Sequence, residues 1–160
     1  MSTRRRSHWA LPVSVLVALL LGLLPLPGTL QPLRPYWLAL VVLYWLLEAP
    51  ERVGLGFAFL AGLIADLAWG GLLGEQSLRL LVMAFILDRF RSQVRFFPLP
   101  QQMLVIGGLL LNDRVVQAVL YLAFGRAQLP AAYWIAPLLG MLLWIPLYML
   151  MDVMRMERRR

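Results

Sequence analysis

The chain of 160 residues has no cysteine, no lysine and only one histidine, His8. The lack of cysteine excludes disulfides, thiol nucleophiles and cysteine-based metal sites. With a single histidine near the N-terminus, the chain has no Ser-His-Asp set, and it also has no phosphate-binding loop or metal-ligand cluster. We therefore expect that the protein is not an enzyme and that it holds no cofactor and no metal ion.

Charged residues are also scarce, since they make up only 14% of the chain whereas 61% is hydrophobic. This composition is too apolar for a soluble domain of such length. The formal net charge of +7 could suggest nucleic acid, but a basic groove needs its charges on one folded face, and here they flank long apolar stretches. The sequence therefore predicts one integral membrane domain over residues 1–160, in contact with membrane lipid and without a nucleic-acid partner.

The fifteen basic residues are all arginine, and most of them cluster at every second gap between the apolar stretches. These gaps hold eleven arginines, whereas the other gaps hold two, Arg34 and Arg126. Because arginine-rich loops remain on the cytoplasmic side, the asymmetry predicts a multi-pass protein with both termini in the cytoplasm. The eleven are Arg4, Arg5, Arg6, Arg52, Arg89, Arg91, Arg95, Arg155, Arg158, Arg159 and Arg160.

Six apolar stretches are predicted to form the transmembrane helices of an all-α bundle. They cover residues 10–26, 36–49, 53–70, 76–90, 101–124 and 133–153. A full crossing needs about 20 residues, so the second and fourth stretches fall short and could thin the bilayer locally or be re-entrant. The arginines favour six crossings, because the loss of one would place the later clusters on the wrong side.

The third stretch carries a small or polar residue at every fourth position. A row with this spacing forms one stripe along a helix, and small side chains let a second helix backbone approach closely. We therefore predict a helix-packing interaction surface there. The stripe consists of Gly54, Ala58, Gly62, Asp66 and Gly70.

Asp66 in this stripe is expected to face protein or water, because an ionised carboxylate facing lipid is costly. One interpretation is an ion or ligand site, in which Asp66 and Asp113 form a proton or ion relay. The other is a structural carboxylate that caps a neighbouring helix or pairs with an arginine. The chain offers few other site residues, which favours the structural interpretation.

The fifth stretch has polar residues near its midpoint, namely Asn112, Asp113, Arg114 and Gln117. Neighbouring side chains point about 100° apart on a helix, so the adjacent acid and base do not simply pair with each other. Each is predicted to be buried and to need a partner on another helix.

Two acidic residues are candidate partners for Arg114, namely Asp66 and Glu75. Glu75 is also spaced i, i+4 from Arg79 at the start of the fourth stretch. A glutamate four residues before an arginine is the favourable order on a helix, so we also expect a local pair of these two side chains, and both are candidates for buried polar residues.

Several short motifs between residues 34 and 80 resemble, in their order and spacing, the MreD family of rod shape-determining proteins of Gram-negative bacteria. The rest of the chain agrees mainly in its hydropathy and in an aspartate in the fifth stretch. The motifs are Arg34-Pro35-Tyr36-Trp37, Leu43-Tyr44-Trp45, Pro50-Glu51-Arg52-Val53-Gly54, Gly62-Leu63-Ile64-Ala65-Asp66-Leu67 and Leu73-Gly74.

The resemblance implies a non-enzymatic component of the cell-elongation machinery in the bacterial inner membrane. Its expected partner is MreC, a bitopic protein with a periplasmic domain. Through MreC the chain is expected to be linked to MreB filaments, to the RodA glycosyltransferase and to its class B penicillin-binding partner, and so to help organise peptidoglycan synthesis.

The resemblance also implies a fold similar to the membrane substrate-binding components of energy-coupling-factor transporters, which are small six-span proteins. A second hypothesis follows from this likeness. The chain could be such a component, which binds a vitamin in an outward pocket and docks a coupling protein through small-residue stripes.

Single-cysteine labelling tests the predicted topology, because the natural chain has no cysteine of its own. In intact cells with a permeabilised outer membrane, a maleimide that cannot cross the inner membrane is expected to label Leu30→Cys and Gln128→Cys. Ser92→Cys is expected to be protected, because the arginine asymmetry places only the first two positions outside. Labelling of Ser92→Cys under these conditions would overturn the six-span topology.

Overall fold

The structure, a computed structural model, describes residues 9–126 and 129–157, and the regular secondary structure in these ranges is helical. His8 and the arginines at positions 4–6 and 158–160 lie outside the described residues. Single 3-10 turns precede the second and sixth helices. The α-helices are α1 (Ala10–Leu23), α2 (Trp37–Glu48), α3 (Leu55–Trp69), α4 (Glu75–Val94), α5 (Leu99–Ala123) and α6 (Ala136–Glu157).

Two segments of the described chain are long and apolar enough to cross a membrane by length and composition alone. They are Leu99–Ala123, which is α5, and Ala131–Arg155, which contains most of α6. The helices Ala10–Leu23 and Leu55–Trp69 are apolar but shorter. The fold is therefore that of a helical bundle consistent with a membrane protein.

α2 forms the centre of the bundle. All ten residues from Leu38 to Leu47 are buried, and a helix that is apolar on every side needs such an enclosed place. Helices α1, α4 and α6 pack around it. With 12 residues, α2 is about 18 Å long, well short of a hydrocarbon core of roughly 30 Å. Loop residues and polar side chains must therefore fill the space beyond its ends.

α4 is longer than the sequence predicted. It runs over Glu75–Val94, which is 20 residues, whereas the apolar stretch ended at residue 90. The last turns carry charged side chains such as Asp88 and Arg91, whose carboxylate and guanidinium lie 3.4 Å apart as an i, i+3 pair. Charged residues end an apolar stretch without ending a helix, so hydropathy alone gave too short a segment. At about 30 Å, α4 can match the hydrocarbon core.

Other helix ends differ by up to four residues from the prediction. α1 ends at Leu23 rather than at residue 26, because Leu24 precedes Pro25 and takes a ψ of 122°, as the proline ring requires of its predecessor. α6 begins at Ala136 rather than at residue 133, because a 3-10 turn over Ala131–Trp134 comes first.

The middle of the small-residue stripe packs within the chain itself. α3 and α4 form the most extensive helix pair in the described structure. A Cβ atom at Gly62 would overlap the Cα atom of Ser77 in α4, so only glycine permits this close approach. Ala58 and Asp66, one turn to either side of Gly62, are also buried. The backbone of α3 thus touches the first turn of α4.

The two ends of the stripe do not lie at a helix contact within the described chain. Gly54 and Gly70 both have open space where a side chain would begin. Gly54 is the N-cap of α3, and Gly70 is its C-cap with a left-handed φ of 69°. Glycine at position 70 adopts this left-handed conformation without steric strain and so ends the helix. Within the described chain, the part of the stripe that packs against α4 is therefore Ala58, Gly62 and Asp66.

We expect Gly62→Leu to lower the free energy of unfolding by about 1–3 kcal/mol or more, because the new side chain must push α4 away from α3. Gly56→Leu is the matched control, since it makes the same change on the same helix at a position with nothing within 4 Å. Unfolding by sodium dodecyl sulfate in mixed micelles, followed by tryptophan fluorescence, measures both. Equal midpoints for the two variants would contradict the contact between α3 and α4.

Candidate functional site

Asp66 caps the N-terminus of α4 from the neighbouring helix α3. Its carboxylate accepts hydrogen bonds from the backbone N–H groups of Gly74 at 2.8 Å and Gln76 at 2.9 Å. The backbone N–H and the hydroxyl of Ser77 lie 3.5 and 3.4 Å from the same carboxylate. The first N–H groups of a helix lack partners within the helix, and its dipole favours a negative charge there. Asp66 supplies hydrogen-bond acceptors and a negative charge to this helix end, and it is only 2% exposed.

A buried ion pair joins α4 to α5. The guanidinium of Arg79 donates from Nε to Oδ1 of Asp113 at 2.7 Å and from Nη2 to Oδ2 at 2.6 Å. The two residues are 4% and 2% exposed. A two-point contact of this kind satisfies both carboxylate oxygens and fixes the angle between the groups. Two charges are thereby held inside the bundle without contact with lipid.

Arg79 has further partners around the ion pair. Its Nη1 atom lies 3.6 Å from Oε1 of Glu75 and 3.4 Å from Oε1 of Gln76. Its guanidinium lies over the ring of Tyr36, at 4.7 Å from the ring centroid, where the negative face of the ring attracts the cation. The partners of this guanidinium are thus two carboxylates, an amide oxygen and an aromatic face.

Gln117 extends the polar cluster along α5. Its Nε2 group donates to Glu75 at 3.2 Å and to Tyr121 at 3.0 Å. The hydroxyl of Tyr133 donates to Oε1 of Gln117 at 2.8 Å. Buried polar groups in a low-dielectric interior gain more from such closed networks than from single contacts. The network ties α4, α5 and the turn before α6 together.

Arg114 belongs to the same cluster but has no carboxylate partner among the described residues. Its Nη1 donates to Oε1 of Gln117 at 3.2 Å, and its Nη2 donates to the backbone carbonyl of Arg34 at 3.4 Å. The guanidinium also lies 4.5 Å from the centroid of the Tyr133 ring. These partners are neutral, so they stabilise the Arg114 cation without forming an ion pair with it.

A cavity of about 350 Å³, here called the arginine cavity, opens beyond the N-terminal end of α2. Arg34, Arg79 and Arg114 line it, whereas Glu75 and Asp113 lie outside its lining. Partial burial lowers the pKa of Arg34 from its usual value, but a guanidinium starts so far above neutrality that it stays charged. The arginine cavity therefore presents more positive than negative charge.

The helix ends around the arginine cavity show that the helices alternate in direction. The cavity is enclosed by the last turns of α1 and α3, the first turns of α2 and α4, the C-terminal half of α5 and the connector before α6. These are the helix ends that the sequence places on one side of the membrane. At the opposite end, Glu48 accepts hydrogen bonds from Tyr148 at 2.8 Å and from Arg155.

The structure separates some of the residues that the sequence analysis joined. Arg114 meets neither Asp66 nor Glu75, because Arg79 and the start of α4 occupy those carboxylates. Asp66 and Asp113 belong to different sets of contacts, and among the described residues no hydrogen bond joins them. Asn112 is half-buried rather than buried, and its amide nitrogen finds no partner in the described part of the chain.

The local pair of Glu75 and Arg79 is present in the structure, where it is buried and shared with Asp113. Tyr36 and Arg34 were not predicted as site residues from the sequence. A signal was available, since both lie in the motif of residues 34–37 that contributed to the family resemblance. Glu48 and Arg155 were also missed, because they lie 107 positions apart and no local pattern relates them.

Comparison with known proteins gives a consistent result. A family model described as rod shape-determining protein MreD matches residues 3–154. A rod shape-determining protein MreD from Haemophilus influenzae is 41% identical over 90 residues. The aligned part is 56% of this chain and 56% of that relative, so the similarity spans little more than half the length of either. No solved structure matches the chain.

Proposed function

The chain belongs to the MreD family of rod shape-determining proteins, and from this premise we propose that it is a non-enzymatic scaffold of the cell-elongation machinery in the bacterial inner membrane. The match over residues 3–154 carries this proposal and confirms the resemblance found in the motifs. A role in rod-shape determination follows from the family. Nothing supports the alternative of a vitamin-binding transporter component.

The proposed scaffold binds MreC directly and is linked through MreC to MreB filaments, to RodA and to its class B penicillin-binding partner. In this way it helps to organise peptidoglycan synthesis. The character of the buried polar groups supports a structural role. Asp66 caps a helix, Asp113 pairs with Arg79, and Glu75 contacts both Arg79 and Gln117. Each of these carboxylates is engaged in holding helices together, which leaves none free for acid-base chemistry.

The proposed orientation places both termini and the Arg89–Arg95 region in the cytoplasm. The arginine asymmetry supports it, and so does the gathering of alternate helix ends around the arginine cavity. With this orientation the arginine cavity faces the periplasm, and the Glu48–Arg155 pair lies at the cytoplasmic end.

The surface proposed to receive MreC is an apolar groove of about 500 Å³ between α1, α2 and α6. Apart from Ser14, its lining side chains are aliphatic, tryptophan or methionine. The Ser14 hydroxyl accepts from Trp45 Nε1 at 2.8 Å and donates to the Leu11 carbonyl at 2.8 Å, so it offers a partner little further polarity. The proposed occupant is the membrane-spanning helix of MreC, because a partner that crosses the bilayer once can enter such a groove only as a helix.

Two features favour this groove over the small-residue stripe of α3. Gly62 at the centre of the stripe is already covered by α4. In contrast, the groove side of α1 is open, with Val13 52% and Val17 48% exposed. Helices associate in lipid through close packing of their surfaces, and Met151 and Met154 at the groove wall adapt readily to a partner.

We expect Val17→Trp to reduce capture of MreC about tenfold, because the indole fills part of the groove and leaves too little space for the partner helix. Leu16→Trp is the matched control, since Leu16 is 56% exposed on the same helix and does not line the groove. Copurification of MreC with each variant at equal membrane abundance is the measurement. Equal MreC recovery with the two variants would exclude the groove as the docking surface, and failure of the natural chain to capture MreC would refute the scaffold proposal itself.

A further inference from the structure

The wall of the arginine cavity carries three arginines and no carboxylate. Of these arginines, Arg79 forms ion pairs with both Asp113 and Glu75. Arg34 donates from Nη2 to the Leu21 carbonyl at 3.4 Å, and Arg114 donates only to neutral acceptors. Among the described residues, neither of these two guanidiniums forms an ion pair with a carboxylate.

Arg34 and Arg114, the two arginines of the cavity that form no ion pair among the described residues, lie near each other. The Nη2 group of Arg114 reaches the backbone of Arg34, and both side chains line the arginine cavity together with Arg79. Like charges that line one cavity repel each other, and a cation is less stable where water is scarce. An anion in the cavity would relieve both effects at once.

The rest of the lining combines polar side chains with glycine, proline, leucine and tryptophan. The Tyr36 hydroxyl is buried, and it has no hydrogen-bond partner in the described part of the chain. The side-chain amide of Gln76 and the hydroxyl of Tyr121 also line the cavity. The acidic residues of the cluster, Glu75 and Asp113, do not contribute to its wall. The wall thus combines planar guanidinium donors with neutral donors and lacks a competing carboxylate.

We propose that the arginine cavity binds a phosphate group, carried by a lipid headgroup or by a soluble phosphate ester. Guanidinium groups match the oxygens of phosphate with two parallel hydrogen bonds each, and two of those in the cavity wall form no ion pair among the described residues. A volume of about 350 Å³ lies in the range of small-molecule sites, so the cavity also holds the group esterified to the phosphate. This proposal does not depend on MreC binding.

Binding to the purified full chain in neutral detergent tests the proposal, with Trp37 and Trp69 in the cavity wall as fluorescent reporters. The probes are dioctanoyl phosphatidylglycerol, inorganic phosphate and, as the uncharged control, dioctanoylglycerol. Saturable binding of the first or second probe without binding of the third is expected. Binding of phosphatidylglycerol without binding of inorganic phosphate would identify a lipid headgroup as the ligand. Binding of inorganic phosphate as well would show that a soluble phosphate ester is sufficient. Absence of saturable binding for both phosphate probes would overturn the proposal.

Variants connect the binding to the cavity. Arg114→Gln and Arg34→Gln are each expected to weaken binding about tenfold, since each removes a charged donor. Arg126→Gln removes an exposed arginine that does not line the cavity, and its affinity is expected to stay within about twofold. Equal affinities for the three glutamine variants would overturn the proposal.

A variant that keeps the positive charge of Arg114 serves as a control for misfolding. Arg114→Lys retains a cation without the guanidinium fork, so its affinity is expected to lie between those of Arg114→Gln and the natural chain. The unfolding midpoint of each variant is measured alongside. If Arg114→Gln does not fold, the affinity of Arg114→Lys is compared with that of Arg126→Gln instead. Equal affinities of these two variants would overturn the proposal.

Discussion

The ion pair between Arg79 and Asp113 is the interaction on which the polar end of this bundle depends. Both side chains are almost completely buried, and a charge left alone in such a place costs several kcal/mol. The pair therefore fixes α4 against α5, and the neighbouring groups are arranged around it. Glu75 reaches the Arg79 guanidinium and the Gln117 amide, and Gln117 reaches the hydroxyl of Tyr133.

The shortness of α2 explains why polar groups gather at this place. A helix of 12 residues at the centre of longer helices leaves space beyond its N-terminal end, and that space is the arginine cavity. Backbone groups and charges bordering such a space need partners that lipid cannot supply. Asp66 provides them for the start of α4, and Asp113 provides them for Arg79. Arg34 and Arg114 are left with neutral partners, which gives the cavity its charge.

The sequence predicted the helical class and the number of helices, because long apolar stretches separated by arginine and proline are a strong signal. It also anticipated a capping or pairing role as one interpretation of Asp66. It assigned the wrong partner to Arg114 and recognised only the local partner of Arg79. The spacing of residues along one helix shows which side chains share a face, but not which helix that face meets. The contact of Arg79 with Asp113, 34 positions away, depends on how α4 and α5 are packed, which no local pattern encodes.

A double-mutant cycle on the ion pair tests most directly whether it holds the polar end together. Arg79→Met and Asp113→Leu are each expected to lower the free energy of unfolding by about 3–5 kcal/mol, because each leaves one buried charge alone. The double variant is expected to lose about 2 kcal/mol less than the sum. Asp88→Leu, which breaks the partly exposed pair with Arg91, is expected to change stability by less than about 1 kcal/mol. Additive effects of Arg79→Met and Asp113→Leu, with each no larger than that of Asp88→Leu, would contradict this account.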